Sequence, residues 1–414
     1  MKLAVISDLH IGLAARAKDL CPEPPSVGAK HELAKYKSKT DDPYRQKFVD
    51  FIQRERITAD YLILPGDITN KADPREVKLA SEFVLQAADT LHVTLNKILF
   101  TPGNHDVDWS VIDPNDNTGV RWGQRYDPIS YPSFIFRQLV DQGVGNIFSH
   151  PYFTAWNFPD LLSIAYNSAS HDSPVKEDVA HHGLADPDHC DAIRKYLDRI
   201  GPPDSRVRLF LVHHHMFNFS APIPRTPDFS LMTNAENLFS LLQERGFDIL
   251  IHGHMHHPRF EAYSTTTYPH LTILCSGSFS AELDTQWAGT IDNQFHLVTI
   301  DGRAGSENRI KGKITSWSNN HSRGWIPSEE STSGIHHIIP FGSYVMPHDL
   351  DERLEPFINQ WLTSHDHILW RQIVENFPDL EHLPLNSAIE AFKRLAQRLG
   401  RESMYQTLKD LILY

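Results

Sequence analysis

The chain has 414 residues and a formal net charge of −13, so it exceeds a typical domain of about 100–200 residues and lacks the positive charge that broad binding to nucleic acid requires. Its three cysteines, Cys21, Cys190 and Cys275, are an odd number without metal-site spacing, which indicates a reducing compartment. No run approaches the roughly 18 apolar residues of a membrane span, and Asp8 and His10 interrupt the N-terminal apolar run before a signal peptide could form. We therefore predict a soluble, cytoplasmic protein with no membrane contact.

Five short apolar runs, each followed by a polar cluster, occur in order along the chain. The runs occupy residues 3–6, 61–64, 98–100, 209–212 and 249–251. Unbroken apolar runs of this length are typical of strands that are buried on both faces of a sheet. The clusters that follow them contain Asp8 and His10, Gly66 and Asp67, Gly103 to Asp106, His213 to His215, and Gly253 to His256.

Each polar cluster alone is weak evidence for a site, because Asp, Asn, Gly and His are common in the turns that follow strands. Their shared position is more informative, since open α/β sheets bind ligands just beyond the carboxyl ends of their strands. Imidazoles and carboxylates suit first-row divalent ions, and two such ions about 3.5–4 Å apart can hold both the attacking and the leaving oxygen of a phosphoryl displacement. The five clusters together predict a two-metal phosphohydrolase.

The segments between the first clusters are predicted to be helical, with one basic stretch. Residues 42–56 and 74–91 have the pattern of helices, and Asp73 and Pro74 suit the cap and first position of the second. Residues 16–47 contain eight lysines and arginines. This stretch is either a solvated insertion or a flap beside the metals that attracts an anionic substrate.

Two loops are predicted to border the site. Residues 108–131 are rich in Asp, Asn, Gly and Pro, and residues 221–232 contain three prolines. In the first loop, Arg121 and Arg125, with neighbouring aromatic residues, either line a substrate cleft or pack against the surface. The second loop is the better candidate for a cap over the site.

The composition changes after residue 302, which suggests three regions. Residues 1–302 carry all the polar clusters. Residues 303–346 are predicted to be a β-rich extension, with strands at 308–318 and 336–346 joined by a serine-rich loop.

The last region, residues 347–414, is predicted to be helical. Apolar residues recur at helical spacing up to a break at Gly400, and Met404, Leu408, Leu411 and Ile412 continue that spacing beyond it. The region is either a small bundle packed on the core or an interaction module for a protein partner or for self-association.

The ordered set D-x-H, GD, GNHD, H and GHxH resembles the calcineurin-like metallophosphoesterase superfamily across residues 1–302. The resemblance implies an α/β fold in four layers, an α/β/β/α sandwich, to which this chain adds the C-terminal β-then-helical extension. It also implies seven metal ligands in two groups that share one carboxylate. The first group is Asp8, His10 and His256, the second is Asn104, His213 and His254, and Asp67 is the bridge.

The resemblance also implies a histidine that faces the leaving group without binding metal, which here is His105, with Asp106 or another nearby carboxylate to orient it. Among the three histidines of the fourth cluster, His213 directly follows the apolar run, where the family's ligand usually stands. His214 or His215 is then left to contact substrate or to orient His213. An imidazole suits proton donation, because its pKa lies near neutral pH.

The motifs are similar to those of class III cyclic-nucleotide phosphodiesterases, so we expect hydrolysis of a nucleotide-like phosphodiester by in-line attack of a metal-bound hydroxide. The expected cofactors are two divalent ions, with Mn²⁺ favoured over Fe, Zn, Mg or Ni. The alternative is a DNA or RNA nuclease resembling the nuclease subunit of double-strand-break repair complexes, although the net acidity does not favour a nucleic-acid partner. A phosphomonoesterase, a protein phosphatase or a scaffold is less consistent with the motifs.

Overall fold

The computed structural model describes residues 1–23, 30–108, 146–172, 182–217, 231–263, 271–283, 291–304, 308–320, 322–406 and 410–414. The chain begins with three parallel strands separated by helices. The strands are β1 (Lys2–Val5), β2 (Tyr61–Leu64) and β3 (Ile98–Phe100), and the helices are α1 (Lys30–Ser38), α2 (Tyr44–Glu55) and α3 (Pro74–Thr90). As predicted, Asp73 caps α3 by accepting a hydrogen bond from Arg75 N at 2.8 Å, with Pro74 at the first helical position.

A second sheet follows in the middle of the chain. Its strands are β4 (Ile147–His150), β5 (Phe153–Asn157), β6 (Leu161–Tyr166), β7 (Val207–Val212), β8 (Ile249–His252), β9 (Arg259–Tyr263) and β10 (Leu271–Cys275), in the order β4-β5-β6-β7-β8-β10-β9. Helices α4 (Pro187–Ile200) and α5 (Ala235–Glu244) connect its parallel strands.

The chain then returns to the first sheet with β11 (Asn293–Ala304), β12 (Arg309–Asn320), β13 (Gly324–Pro327) and β14 (Ile338–Phe341). The order of that sheet is β13-β12-β11-β1-β2-β3, and β14 also pairs with β12. The predicted strand at 308–318 is confirmed, and that at 336–346 is shorter. The predicted loop between them is wrong in part, since it contains β13 and a short helix, α6 (Glu330–Ser333).

The two large sheets face each other, and helices cover their outer faces. Leu3 and Ile63 of the first sheet share a buried cluster with Leu211 and Ile251 of the second. Residues of α2 and α3 pack on the outer face of the first sheet, and residues of α4 and α5 pack on that of the second. The four-layer α/β/β/α sandwich is therefore confirmed.

Several basic side chains of the stretch at 16–47 have polar partners, within the stretch or elsewhere in the chain. Lys18 and Lys47 form ion pairs with acidic residues at 2.8 and 2.6 Å, Lys39 pairs with Glu282, and Arg16 donates to Asn293 Oδ1 at 2.8 Å. These contacts give those side chains a structural role, as in an insertion, while Lys35 and Lys37 on α1 are exposed.

The C-terminal region contains helices α7 (Pro347–Leu362), α8 (Trp370–Asn376) and α9 (Leu385–Leu399), and a small antiparallel sheet. The sheet consists of β15 (Ile368–Leu369), β16 (Ser403–Gln406) and β17 (Asp410–Leu413) in the order β15-β17-β16. The helix expected beyond Gly400 is therefore wrong. Gly400 ends α9 at a φ of 63°, and burial alternates along β17, with Leu411 and Leu413 buried and Ile412 half-buried.

This region has its own buried cluster, which includes Leu354, Ile358, Phe392, Leu395 and Leu413.

Among the residues that the structure describes, no helix is long and apolar enough to cross a membrane. All three cysteines are free and buried.

Candidate metal centre

The parallel strands bring the five polar clusters to one edge of the sandwich. β1, β2 and β3 are parallel neighbours in one sheet, as are β7 and β8 in the other, so the residues after them converge. Backbone hydrogen bonds link the clusters directly, from Asp8 N to Gly66 O at 3.1 Å, from His10 N to Asp67 O at 2.9 Å, and from Gly253 N to His213 O at 3.2 Å.

The first predicted ligand group is assembled around Asp8. The ligand atoms of Asp8, His10 and His256 all lie within 4.8 Å of one another, and Asp8 Oδ1 is 4.0 Å from His10 Nε2 and 3.8 Å from His256 Nδ1. Both ring nitrogens of His10 and Nδ1 of His256 are buried without a hydrogen-bond partner among the described residues. Buried polar atoms normally have partners, so these atoms fit a site that is completed by a cation.

The second predicted group is assembled around His213. Its Nε2 lies 3.1 Å from Asn104 Oδ1, 3.1 Å from His254 Nδ1 and 3.2 Å from Asp67 Oδ2. Its other nitrogen, Nδ1, faces Pro65 O at 2.9 Å, the kind of contact that fixes the ring of a metal-binding histidine. The structure thus turns His213 toward the other predicted ligands.

Asp67 lies between the two groups. Its Oδ2 is 3.2 Å from His213 Nε2 and 3.6 Å from His10 Nε2, so one carboxylate reaches both. Its Oδ1 accepts a hydrogen bond from His105 N at 2.8 Å. Because metal–ligand bonds to nitrogen and oxygen are about 2.0–2.2 Å long, these spacings suit two cations that share Asp67.

The protonation states of most of these groups suit metal binding. Burial alone would raise the pKa of Asp67, but His213 and His105 outweigh it and hold that pKa well below its ordinary value. Burial lowers the pKa values of His10 and His254 well below their usual range, which keeps both rings neutral, as ligands must be. Burial would also lower the pKa of His213, but Asp67 and Asp8 raise it to about 9, so a cation would displace a proton there.

Five predicted ligands adopt left-handed backbone conformations. The φ angles are 50° at Asp8, 47° at His10, 51° at Asp67, 72° at His254 and 54° at His256. Such φ values are uncommon for residues other than glycine and cluster at functional sites. The turns after β1, β2 and β8 are therefore shaped to direct side chains inward at a cost in backbone energy.

His105 and Asp106 have different environments. His105 is half-buried, and its Nδ1 lies 3.0 Å from Asn70 O. The Asp106 carboxylate instead accepts from Gly103 N at 3.0 Å, Thr69 N at 2.9 Å and the Thr69 hydroxyl at 2.9 Å. The expectation that Asp106 orients the His105 ring is corrected accordingly, because a backbone carbonyl contacts that ring and Asp106 holds the surrounding turn together.

The other candidate residues are placed as follows. His214 Nδ1 lies 2.8 Å from Ser168 Oγ, and its ring is 4.5 Å from that of His254, so it packs behind the centre. His215 pairs through its backbone with Leu231. Arg121 and Arg125, with most of the two predicted border loops, lie outside the described residues.

Sequence reasoning missed several supporting groups. Asn70 and Glu76 belong to no motif, yet Glu76 Oε2 accepts from Asn70 N at 3.1 Å and Lys71 N at 2.7 Å, which holds the turn that contacts His105. Ser7 donates its hydroxyl to Asp8. Gly253 makes room for this hydroxyl, because a Cβ atom there would lie 2.3 Å from Ser7 Oγ, but no sequence pattern marks Ser7.

Three solved structures are among those similar to this chain. A purple acid phosphatase from yellow lupin is 13% identical, with a TM-score of 0.43, over 78% of this chain and 52% of its own, so the chain spans about half the length of that protein. The phosphopantetheinyl hydrolase of Mycobacterium tuberculosis is 15% identical, with a TM-score of 0.34, over 69% of this chain and 98% of its own. Vps29 of Entamoeba histolytica is 10% identical, with a TM-score of 0.30, over 79% of this chain and 96% of its own.

A search of curated protein sequences gives no match. The model of the calcineurin-like phosphoesterase family matches residues 1–258, which include every predicted ligand. The chain therefore belongs to the calcineurin-like phosphoesterase family.

Proposed function

We propose that the protein is a phosphodiesterase that hydrolyses a nucleotide-like phosphodiester with two divalent ions, Mn²⁺ being favoured. The observation that carries the proposal is the convergence of the two ligand groups on Asp67, with the half-buried His105 beside them. Asp8, His10 and His256 would hold one ion, Asn104, His213 and His254 the other, and Asp67 both. Such a pair supplies a nucleophile at neutral pH and stabilises the charge that develops on the phosphoryl oxygens.

His105 supplies a proton to the departing oxygen. A carbonyl oxygen can only accept a hydrogen bond, so Asn70 O holds the proton on Nδ1 of His105. Nε2 is then the nitrogen that gains and loses a proton. The ring centroid of His105 is 4.6 Å from that of His10, and a ring nitrogen of His105 lies within 4.8 Å of the ligand atoms of His10 and Asp67. This placement suits a general acid for an alkoxide leaving group.

The diester is preferred to a monoester because the motifs resemble those of class III cyclic-nucleotide phosphodiesterases. The nuclease alternative is less favoured because Lys18, Lys39 and Lys47 of the basic stretch form ion pairs and the net charge of the chain is −13. A reducing, cytoplasmic location agrees with the three free thiols.

The proposal is tested with chelated protein reconstituted with Mn²⁺ and a panel of substrates. The panel contains cyclic nucleotides, linear dinucleotides, single-stranded DNA, phosphomonoesters and an activated aryl diester. We expect turnover of the nucleotide-like diesters to exceed that of the monoesters. Asp67→Asn should abolish it, while Asp89→Asn, an exposed carboxylate on α3, should not change it. Preference for DNA would establish the nuclease instead, and preference for monoesters would refute the diesterase assignment.

A further inference from the structure

A further group of metal-ligating side chains lies beyond the carboxyl end of β6, outside the centre described above. It consists of His171, Asp186 and His189, whose ligand atoms all lie within 4.8 Å of one another. Asp186 is the N-cap of α4, and His189 lies in the first turn of that helix. We propose that these three side chains bind one divalent ion of the zinc type, separately from the dinuclear centre.

The spacing of the three side chains suits a single ion. His171 Nε2 lies 3.4 Å from Asp186 Oδ2, and the ring centroids of His171 and His189 are 5.3 Å apart. Two imidazoles on one tetrahedral ion have centroids roughly 5 Å apart, because each bond from zinc to nitrogen is about 2.0–2.1 Å long. The histidine pair therefore needs little rearrangement to share an ion.

The same chain provides an internal comparison for that spacing. His10 and His256, which are assigned to one ion of the dinuclear centre, have ring centroids 5.0 Å apart. His213 and His254, assigned to the other ion, have centroids 4.9 Å apart. The pair beyond β6 thus has a similar centroid separation, with rings closer to parallel, at 24°, than those of the other two pairs, at 47° and 74°.

Tyr166 fixes His189 in the tautomer that a metal requires. The Tyr166 hydroxyl donates to Leu184 O at 2.7 Å, which uses its only proton, and its oxygen lies 3.1 Å from His189 Nδ1. That oxygen must therefore accept from Nδ1–H, which leaves the lone pair of Nε2 available. Metal-binding histidines commonly donate their other N–H to an oxygen in this way. Burial also lowers the pKa of His189 to about 4, so the ring is neutral at neutral pH.

The site is open to solvent on one side. The side chains of His171 and Asp186 are 33% and 25% exposed, whereas His189 is buried. Two imidazoles, one carboxylate and room for water suit zinc and similar first-row ions. The ion would join the turn after β6 to the start of α4. Because Ser168 in that turn contacts His214 behind the main centre, binding would also steady the support of His254.

The test measures zinc bound per full-length chain by mass spectrometry, after chelation, equilibration with Zn²⁺ and removal of free ion. We expect three ions in the wild-type protein and two in Asp186→Asn. Asn caps a helix as well as Asp does, so this change removes the charge without removing the cap. His171→Gln should also bind two. Asp188→Asn is the matched control, since Asp188 is an exposed carboxylate in the same helical turn, and it should bind three.

Equal zinc content in the wild-type protein and in both variants would overturn the proposal, whether that content is two or three. Thermal melting gives a second readout, because Zn²⁺ should raise the Tm of wild-type and Asp188→Asn protein more than that of Asp186→Asn. Failure of the dinuclear centre can be distinguished from failure of the proposed zinc site. His254→Gln should lose hydrolysis and ions of the main centre while it keeps the ion that Asp186→Asn removes.

Discussion

Replacement of His105 by alanine tests the proposed chemistry most directly. The ring touches Asn70 O through Nδ1 and is not among the seven predicted ligands, so its removal should leave metal content unchanged. General acid catalysis contributes about 10²–10⁴-fold to a rate. We expect at least a 10²-fold fall in turnover of diesters with an alkoxide leaving group, equivalent to about 2.7 kcal/mol in the barrier.

The size of the effect should depend on the leaving group. A nitrophenolate departs without a proton, so a nitrophenyl diester should lose roughly tenfold or less in the same variant. The assay compares kcat and kcat/KM on both substrates with Mn²⁺-loaded protein, with metal content measured in parallel. The difference between the two substrates isolates proton donation from general damage to the site.

A matched histidine replacement provides the control. His348 is an exposed histidine on α7, and His348→Ala should change neither rate. Equal losses on both substrates in His105→Ala, with two ions still bound, would refute the general-acid role and leave His105 as a binding residue.

Three other predictions concern metal, pH and the C-terminal region. Asp67→Asn should weaken both metal sites by about 10²-fold, measured by titration of chelated protein, because one carboxylate serves both; weakening of a single site would contradict the bridge. In chelated protein, burial raises the pKa of Glu76 from 4.5 to about 7. The folded protein therefore binds a proton at Glu76 more tightly than the unfolded chain does, and the free energy of unfolding should fall as pH rises through that range. Glu76→Gln should remove at most about 3 kcal/mol of this pH dependence in denaturant unfolding, and identical pH profiles of variant and wild-type protein would contradict the prediction. Truncation after residue 346 should leave hydrolysis of a small aryl diester largely intact, because residues 350–413 bury their own apolar cluster. An insoluble or much less stable truncated protein would instead indicate that these residues pack on the catalytic domain and stabilise it.

The strand ends could be predicted from the sequence because their signals are local. An unbroken apolar run followed by Asp, Asn or His predicts both the strand and the direction in which its polar cluster points. Asp8, Asp67 and His213 converge in the structure for that reason, although they are far apart in the chain. The four layers do not follow from these runs, because a sheet buried on both faces can equally lie between two layers of helices; the family resemblance is what implies the second sheet.

Other features depend on contacts that no local pattern records. The partner of the His105 ring is a backbone carbonyl, and any residue at position 70 would provide one. At the end of the chain, the apolar residues at 404, 408, 411 and 412 fit a helical period of 3.6 as well as an irregular strand pair, so the pattern alone predicts a helix there. The pairing of β17 with β15 decides between them, and that contact joins residues more than 40 positions apart in the sequence.

The left-handed residues link the fold to the chemistry. Asp8, His10, Asp67, His254 and His256 are half of the ten described residues other than glycine with positive φ. Strained conformations of this kind cost on the order of 1–3 kcal/mol each, and they persist only where the surroundings enforce them. Here the surroundings are the hydrogen bonds from His254 N to the Asp8 carboxylate at 3.1 Å and from His10 N to Asp67 O at 2.9 Å. The protein thus holds these turns in shape, so that a cation meets ligands that are already directed toward it. The backbone strain lowers the stability of the folded protein and does not lower the affinity for the cation.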